Sequence, residues 1–258
     1  LFGTRHKIGV TLHNQRIIKI KSSLKQQVFK FFLRRSDFII LNSEKYSDIL
    51  VQKYRLSENR LHVLPAFIPP MESEYLGLPK DVLEFREKCD YLISANAFRL
   101  VIEDGLDLYG LELIHDLRED EYINTGLLFC LPEIGNKKYY EELLEKIADY
   151  HLEEYVKIVS GVIQNAFEYW KISDVFIRPT TTDIEGISVK EALWVNTPAI
   201  ASDVCERPAG TLLFENRNYL DLKDKVLKIY KKDKYETIDF RENVPDVVNE
   251  ILKIYNSL

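Results

Sequence analysis

The most constraining feature of the sequence is a strand, a loop and a helix in direct succession between residues 174 and 202. Residues 174–179 form a short apolar run with β-branched side chains that ends at a proline, which is typical of a strand. A polar loop at 180–186 leads into an amphipathic helix at 187–196. A Thr-Pro pair ends that helix, and another apolar strand begins at 199–201.

The same alternation of short strands and helices runs through the rest of the chain. The patterns predict further strands at 7–13, 37–42, 60–64, 91–97, 127–131 and 155–160, and helices at 22–35, 43–54, 79–88, 107–117, 136–150, 164–172, 219–231 and 245–255. This order predicts an α/β protein built on a doubly wound parallel sheet. The run Phe67-Ile68-Pro69-Pro70 interrupts the alternation and is the expected linker between two domains.

The composition excludes several classes of protein. The 258 residues are 46% hydrophobic, enough for one large domain or two small ones. Three widely spaced cysteines favour a reducing cytoplasm over a disulfide framework. The sequence has no apolar run of transmembrane length, no signal-peptide pattern and no cluster with metal-ligand spacing. It begins at Leu1 rather than Met, which is expected of a trimmed or excised segment.

The net charge of −6 conceals an asymmetry along the chain. Residues 1–60 hold 13 Lys and Arg against 4 Asp and Glu, whereas the remainder holds 22 basic and 37 acidic residues. Phe31 and Phe32 lie within a basic amphipathic helix, a pattern that suits contact with anionic lipid at the inner face of a membrane. The alternative is an ordinary domain helix with a solvated basic face. The short basic surface disfavours a nucleic-acid partner.

The loop and helix around residue 186 combine the elements of an anion site. The backbone N–H groups of Gly186, Ile187 and Ser188 would face the ligand at the positive end of a helix dipole. Asp183 and Glu191 bracket these residues at a spacing that, alone, recurs by chance in an acidic chain. Doubly wound sheets bind ligands at the carboxyl ends of their strands. That rule adds four regions to the expected site: His13, 42–43, 97–105 and 161–165.

The string from 180 to 202 resembles the E-x7-E signature of retaining glycosyltransferases of the GT-B fold, family 4 (glycosyl transferases group 1). Its Thr-Thr-Asp opening is similar to enzymes of bacterial surface and capsular polysaccharide assembly. The segment 38–43 resembles the strand that closes the N-terminal domain of that family, and 62–68 resembles its entry to the linker. The segment 98–108 resembles a loop whose usual form is Gly-Arg-Leu, four residues, Lys-Gly.

The resemblance implies a role for each residue of the motif. Asp183, where most of the family has Glu, would bond hydroxyls of the donor sugar, and Glu191 would bond the ribose of the nucleotide. Arg99 matches the arginine that holds the diphosphate of the donor, and Gly105 matches the glycine of that loop. Asp104 stands where the family has lysine, and a carboxylate there would repel a diphosphate.

Three further residues are expected at the donor site by position. His13 would contact the donor, and Gly161 and Asn165 would approach its base. The chain contains no D-x-D motif, so the implied reaction is metal-independent. The donor would be a UDP- or GDP-sugar, with no cofactor beyond this substrate.

The resemblance also implies a domain organisation. Residues 1–68 would be the tail of an acceptor-side domain, 69–240 the domain that binds the nucleotide sugar, and 241–258 a return helix. The implied activity is a hexosyltransferase that uses a glycan or lipid-linked acceptor, and this chain alone is expected to be incomplete for it. Two alternatives stay open: a GT-B epimerase or phosphorylase, and a non-catalytic module that binds a nucleotide sugar or a partner chain.

Overall fold

The computed structural model describes residues 7–12, 20–42, 44–71, 76–102, 106–183, 185–232 and 239–257. The chain divides into two compact units, one of residues 1–68 with 244–258 and the other of residues 69–243. None of the helices in this described part is both long and apolar enough to cross a membrane.

Strands and helices alternate along both units. In chain order they are β1 Gly9–Leu12, α1 Ser23–Arg35, β2 Phe38–Leu41, α2 Glu44–Tyr54, β3 Leu61–Val63, α3 Lys80–Glu87, β4 Tyr91–Asn96, α4 Leu111–Glu119, β5 Thr125–Leu131, α5 Lys137–Asp149, β6 Val156–Ser160, α6 Ala166–Lys171, β7 Val175–Arg178, α7 Ile187–Trp194, β8 Ala199–Ser202, β9 Leu212–Phe214, α8 Tyr219–Tyr230 and α9 Val247–Asn256. Short 3-10 helices lie at Glu58–Arg60 and Phe240–Asn243.

The smaller unit is a parallel three-stranded sheet in the order β1-β2-β3. All four residues of β2 are buried, so both faces of this strand are covered. Ile39 and Leu41 pack with Leu33 of α1 on one face, whereas Ile40 packs with Ile254 of α9 on the other. The alternation of side chains along a strand therefore sends successive residues of β2 into two apolar clusters.

The larger unit is a parallel six-stranded sheet in the order β6-β5-β4-β7-β8-β9. Successive strands run outward from β4 to β6 on one side, and the chain then returns to add β7, β8 and β9 on the other. The topological switch point of this doubly wound sheet therefore lies between the adjacent strands β4 and β7. The α/β fold class expected from the alternation is confirmed. β9 was not predicted, because its three residues are too few for a periodic signal.

Helix α4 begins four residues later than the sequence pattern predicts, because Asp107 caps it instead of joining it. The carboxylate of Asp107 accepts five backbone N–H bonds, from residues 109–113, at 2.8 to 3.3 Å. Gly110 precedes the helix in the left-handed region with φ of 91°, and a Cβ there would lie 2.7 Å from Cδ1 of Ile177. One side chain therefore satisfies the amino end of α4.

Replacement of Asp107 by alanine should be far more costly than loss of an ordinary helix cap. Asp107→Ala leaves five N–H groups without their acceptor, so we expect a loss of at least about 3 kcal/mol in the free energy of unfolding. Asn136→Ala removes a cap with one such bond, to Tyr139 N, and should cost about 1 kcal/mol. Urea unfolding of both variants measures the difference, and equal losses would contradict this role of Asp107.

Candidate functional site

Side chains from two strands meet across the switch point of the larger sheet. The last registered pair between β4 and β7 is Ala95 with Ile177. One residue beyond it, Nη1 of Arg178 donates a hydrogen bond to Oδ1 of Asn96 at 2.9 Å. The pair lies at the carboxyl ends of the strands, where ligands of doubly wound sheets bind.

The carboxylate of Asp183 binds two guanidinium groups. Oδ2 accepts a bond from Nε of Arg178 at 2.8 Å and another from Nη1 of Arg207 at 2.7 Å, and Nη2 of Arg178 reaches Oδ1 at 3.4 Å. Burial disfavours the charged form of Asp183, but both arginines favour it, and the net effect lowers the pKa of the carboxyl. The three ionised groups together carry a charge of +1.

Arg207 is almost completely buried and hydrogen-bonded to two residues. Its side chain is 1% exposed, and it also donates to the backbone oxygen of Ser202 at 3.0 Å. Gly186 lies against this guanidinium, since a Cβ there would come within 2.4 Å of Nη1 of Arg207. Gly186 also has φ of 67°, a left-handed conformation at the start of α7. The glycine is therefore required by the packing of Arg207 and by its own backbone.

Glu191 lies one turn into α7, in a different electrostatic setting. Its Oε2 accepts a hydrogen bond from Nε1 of Trp170 at 3.2 Å. Trp170 is fully buried, and its backbone oxygen accepts a bond from Oγ1 of Thr197 at 2.7 Å. Burial raises the pKa of Glu191, although the Trp170 bond and the charge of Arg178 oppose this shift. The two acids of the motif thus have pKa values displaced in opposite directions.

The other predicted site residues lie in loops at the same edge of the sheet. Arg99 follows β4, is exposed, and has its guanidinium 5.6 Å from the ring centre of Phe98. Gly161 follows β6 with φ of 90°, and its N–H donates to the oxygen of Pro132 at 3.2 Å. Asn165 directly precedes α6.

The remaining predicted residues fall into two groups. Ile187 is exposed and Ser188 is buried in the first turn of α7. His13 and Gly105 lie outside the described residues, as does Asp104.

Four residues of this site were not identified from the sequence: Asn96, Trp170, Arg178 and Arg207. Arg178 could have been predicted as a site residue, because it is a charged residue at the carboxyl end of an otherwise apolar strand. Arg207 could not have been predicted from local sequence, because its contact with Asp183 joins residues 24 positions apart. Within the part of the chain that the structure describes, no group of three or more His, Cys, Asp or Glu side chains could hold a metal ion.

Comparison with known proteins identifies the class to which this fold and site belong. Residues 82–244, more than half of the chain, match the family model Glycosyl transferases group 1. The chain therefore belongs to that glycosyltransferase family. An uncharacterized glycosyltransferase of Methanocaldococcus jannaschii is 23% identical over 210 residues, which cover 77% of this chain and 46% of that protein. The chain thus spans about half the length of this curated relative.

Solved structures agree on the fold. HepE of Anabaena, solved with UDP and glucose, has a TM-score of 0.69 at 16% identity, over 98% of this chain and 72% of that protein. A glycosyltransferase of Rickettsia africae has a TM-score of 0.68 at 15% identity, over 98% and 71% of the two chains. At these identities the likeness concerns the fold, which is of the Rossmann-like GT-B type.

The two acids of the motif should change stability in opposite directions when they are neutralised. Asp183 has a lowered pKa, so its ionised form stabilises the protein above about pH 4, and the effect is lost as pH falls through its folded pKa. Asp183→Asn should therefore lower the free energy of unfolding at pH 7 by about 3 kcal/mol, because it leaves the buried Arg207 and the partly buried Arg178 without their carboxylate.

Glu191 has a raised pKa, so the stability of the wild type falls as pH rises through that value. Glu191→Gln should therefore be more stable than the wild type at pH 7, and the gain should vanish near pH 4. Thermal unfolding of both variants between pH 4 and 8 tests the pair. Destabilisation by Glu191→Gln at neutral pH would contradict the electrostatic description of this site.

Proposed function

We propose that this chain contains the donor-binding domain of a retaining, metal-independent glycosyltransferase, which moves a sugar from a nucleoside-diphosphate sugar to a glycan or lipid-linked acceptor. The larger unit would bind the donor, and the smaller unit would belong to the acceptor side. One observation carries the proposal: in a member of a glycosyltransferase family, Arg207 and two acids with oppositely displaced pKa values are grouped around Arg178, which lies at the switch point of the sheet.

The site offers groups suited to each part of such a donor. Glu191 would accept hydrogen bonds from the ribose hydroxyls, and the loop of Gly161 and Asn165 would contact the base. Arg99 and the first N–H groups of α7, from Gly186 to Ser188, would stabilise the charge that develops as the diphosphate departs. Solved relatives support the ligand class, since HepE was crystallised with UDP-glucose.

The proposed reaction keeps the configuration of the sugar. The acceptor oxygen would attack the anomeric carbon from the face that the diphosphate leaves. The bond from that carbon to the phosphate oxygen breaks, and the hydroxyl proton passes to the leaving diphosphate. No nucleophilic side chain is required. A covalent glycosyl–carboxylate adduct trapped by a substrate analogue would contradict this scheme.

Helix α1 supports an acceptor held at a membrane surface. Leu24, Val28, Phe31 and Phe32 are 47 to 70% exposed and form one stripe about 100° wide along the helix. The opposite side of α1 holds the helix to its own unit through buried Leu33. The helix has four basic residues and no acidic one. An exposed apolar stripe on a basic helix suits anionic lipid, which we propose as its partner.

Nucleotide binding by this chain tests the proposed function directly. Calorimetry with UDP and with GDP, in EDTA, should show binding of one of them, and Glu191→Ala should weaken it by at least tenfold because the ribose contact is lost. Lys157→Ala, which removes a surface lysine paired with Asp81, is the control and should bind as the wild type does. Absence of binding to both nucleotides would favour a module that binds a partner chain.

Vesicle sedimentation tests the membrane contact. The chain should bind vesicles with anionic lipid and not those of phosphatidylcholine alone, and Phe31→Ser with Phe32→Ser should reduce binding at least tenfold. The matched control replaces two exposed apolar residues of the larger unit, Tyr122→Ser with Leu220→Ser, and should leave binding unchanged. Equal binding by both double variants would contradict a role for α1.

A further inference from the structure

Arg178 has more hydrogen-bonding capacity than its observed contacts use. Its side chain is 18% exposed, and Nε and Nη2 donate to Asp183 while Nη1 donates to Asn96. A guanidinium carries five N–H donors, so these contacts among the described residues employ three of them. One donor remains on each terminal nitrogen, the pair of atoms with which an arginine binds phosphate oxygens as a fork.

The charge around Arg178 is not balanced. Asp183 is one carboxylate shared between two guanidinium groups, of which Arg207 is almost completely buried. Because Arg207 also takes up the charge of Asp183, Arg178 is not neutralised by its ion pair. Glu191 also senses the charge of Arg178, but its carboxylate accepts a hydrogen bond from Trp170, and among the described residues no ion pair joins it to either arginine. An unbalanced cation in a partly buried site attracts an anion.

The position of Arg178 specifies where that anion would lie. Arg178 and its partner Asn96 flank the switch point between β7 and β4, at the carboxyl ends of both strands. Ligands of doubly wound sheets bind at this point. The pair of contacts, to a carboxylate on one side and an amide on the other, holds the guanidinium in a single orientation.

The same geometry limits what Asp183 can do. Its Oδ2 already accepts two guanidinium bonds at 2.8 and 2.7 Å, and Oδ1 is approached by Nη2 of Arg178 at 3.4 Å. Oδ2 thus holds the two guanidinium groups, and a sugar hydroxyl that bonds this carboxylate would donate to Oδ1.

We propose that Arg178 binds the diphosphate of the nucleotide sugar with its two remaining donors, and that Asp183 is a positioning residue that holds Arg178. The inference rests on the proposed function, because its ligand is a nucleoside diphosphate. It gives Asp183 a role in addition to the one that the E-x7-E resemblance implies, and it adds a cation that the motif does not contain.

Calorimetry with the free nucleoside diphosphate separates the two roles of Asp183. With UDP or GDP, whichever the wild type binds, Arg178→Met should weaken binding at least tenfold. Asp183→Asn should weaken it at least threefold although it adds one net positive charge, because Arg178 is no longer held in its orientation. The double variant should bind no more weakly than Arg178→Met, because Asp183 acts through Arg178. Arg178→Lys keeps the charge without the fork and should lose at least threefold. Circular dichroism confirms that each variant is folded.

The chain offers a matched control at the other end of the same strand. Nη2 of Arg86 pairs with Oδ2 of Asp174 at 3.0 Å, directly before β7, and both side chains are about one-third exposed. Arg86→Met removes a comparable arginine from the amino edge of the sheet and should leave nucleotide affinity unchanged.

The outcomes are distinguishable. Wild-type affinity in Arg178→Met or in Arg178→Lys would overturn the diphosphate contact. Normal or tighter binding of the free diphosphate by Asp183→Asn would overturn the positioning role of Asp183. If the wild type binds neither UDP nor GDP, the proposed function itself fails, and this inference fails with it.

Discussion

The carboxylate of Asp183 is the interaction on which the arrangement of the site depends. It joins Arg178 at the end of β7 to Arg207, which lies in the segment after β8. Without it, two guanidinium groups would face each other in a partly buried space with no anion between them. Removal of one partner of a buried ion pair typically costs about 3–5 kcal/mol, so this carboxylate is structural whether or not a ligand is present.

Glu191, the second acid of the motif, lies in a different electrostatic environment from Asp183. Glu191 accepts a hydrogen bond from Trp170, and burial is the largest influence on the pKa of its carboxyl. Asp183 contacts Arg178 and Arg207, and together these two cations lower the pKa of its carboxyl by more than burial raises it. A group held at a cost to stability is more often kept for binding or chemistry than for folding. By this criterion, Glu191 is the better candidate for direct contact with a substrate.

The sequence predicted the parts of the fold that depend on local pattern. Alternating strands and helices specified a parallel doubly wound sheet, and the strand, loop and helix before residue 202 are present in the structure. The predicted start of α4 was wrong. The position of Asp107 fits the helical pattern of the sequence, but its side chain caps the helix from outside it. Arg207 could not be found, since its role comes from a contact between distant segments and no local periodicity encodes such a contact.

The contact between Gly186 and Arg207 has a consequence for how this chain can vary in evolution. The guanidinium occupies the volume that any side chain at position 186 would need. A residue larger than glycine could enter there only if the arginine were lost or displaced, and it would still have to adopt a left-handed backbone. Loss of the arginine alone would therefore not free position 186 to vary, and glycine should persist there even among descendants of this sequence that lack Arg207.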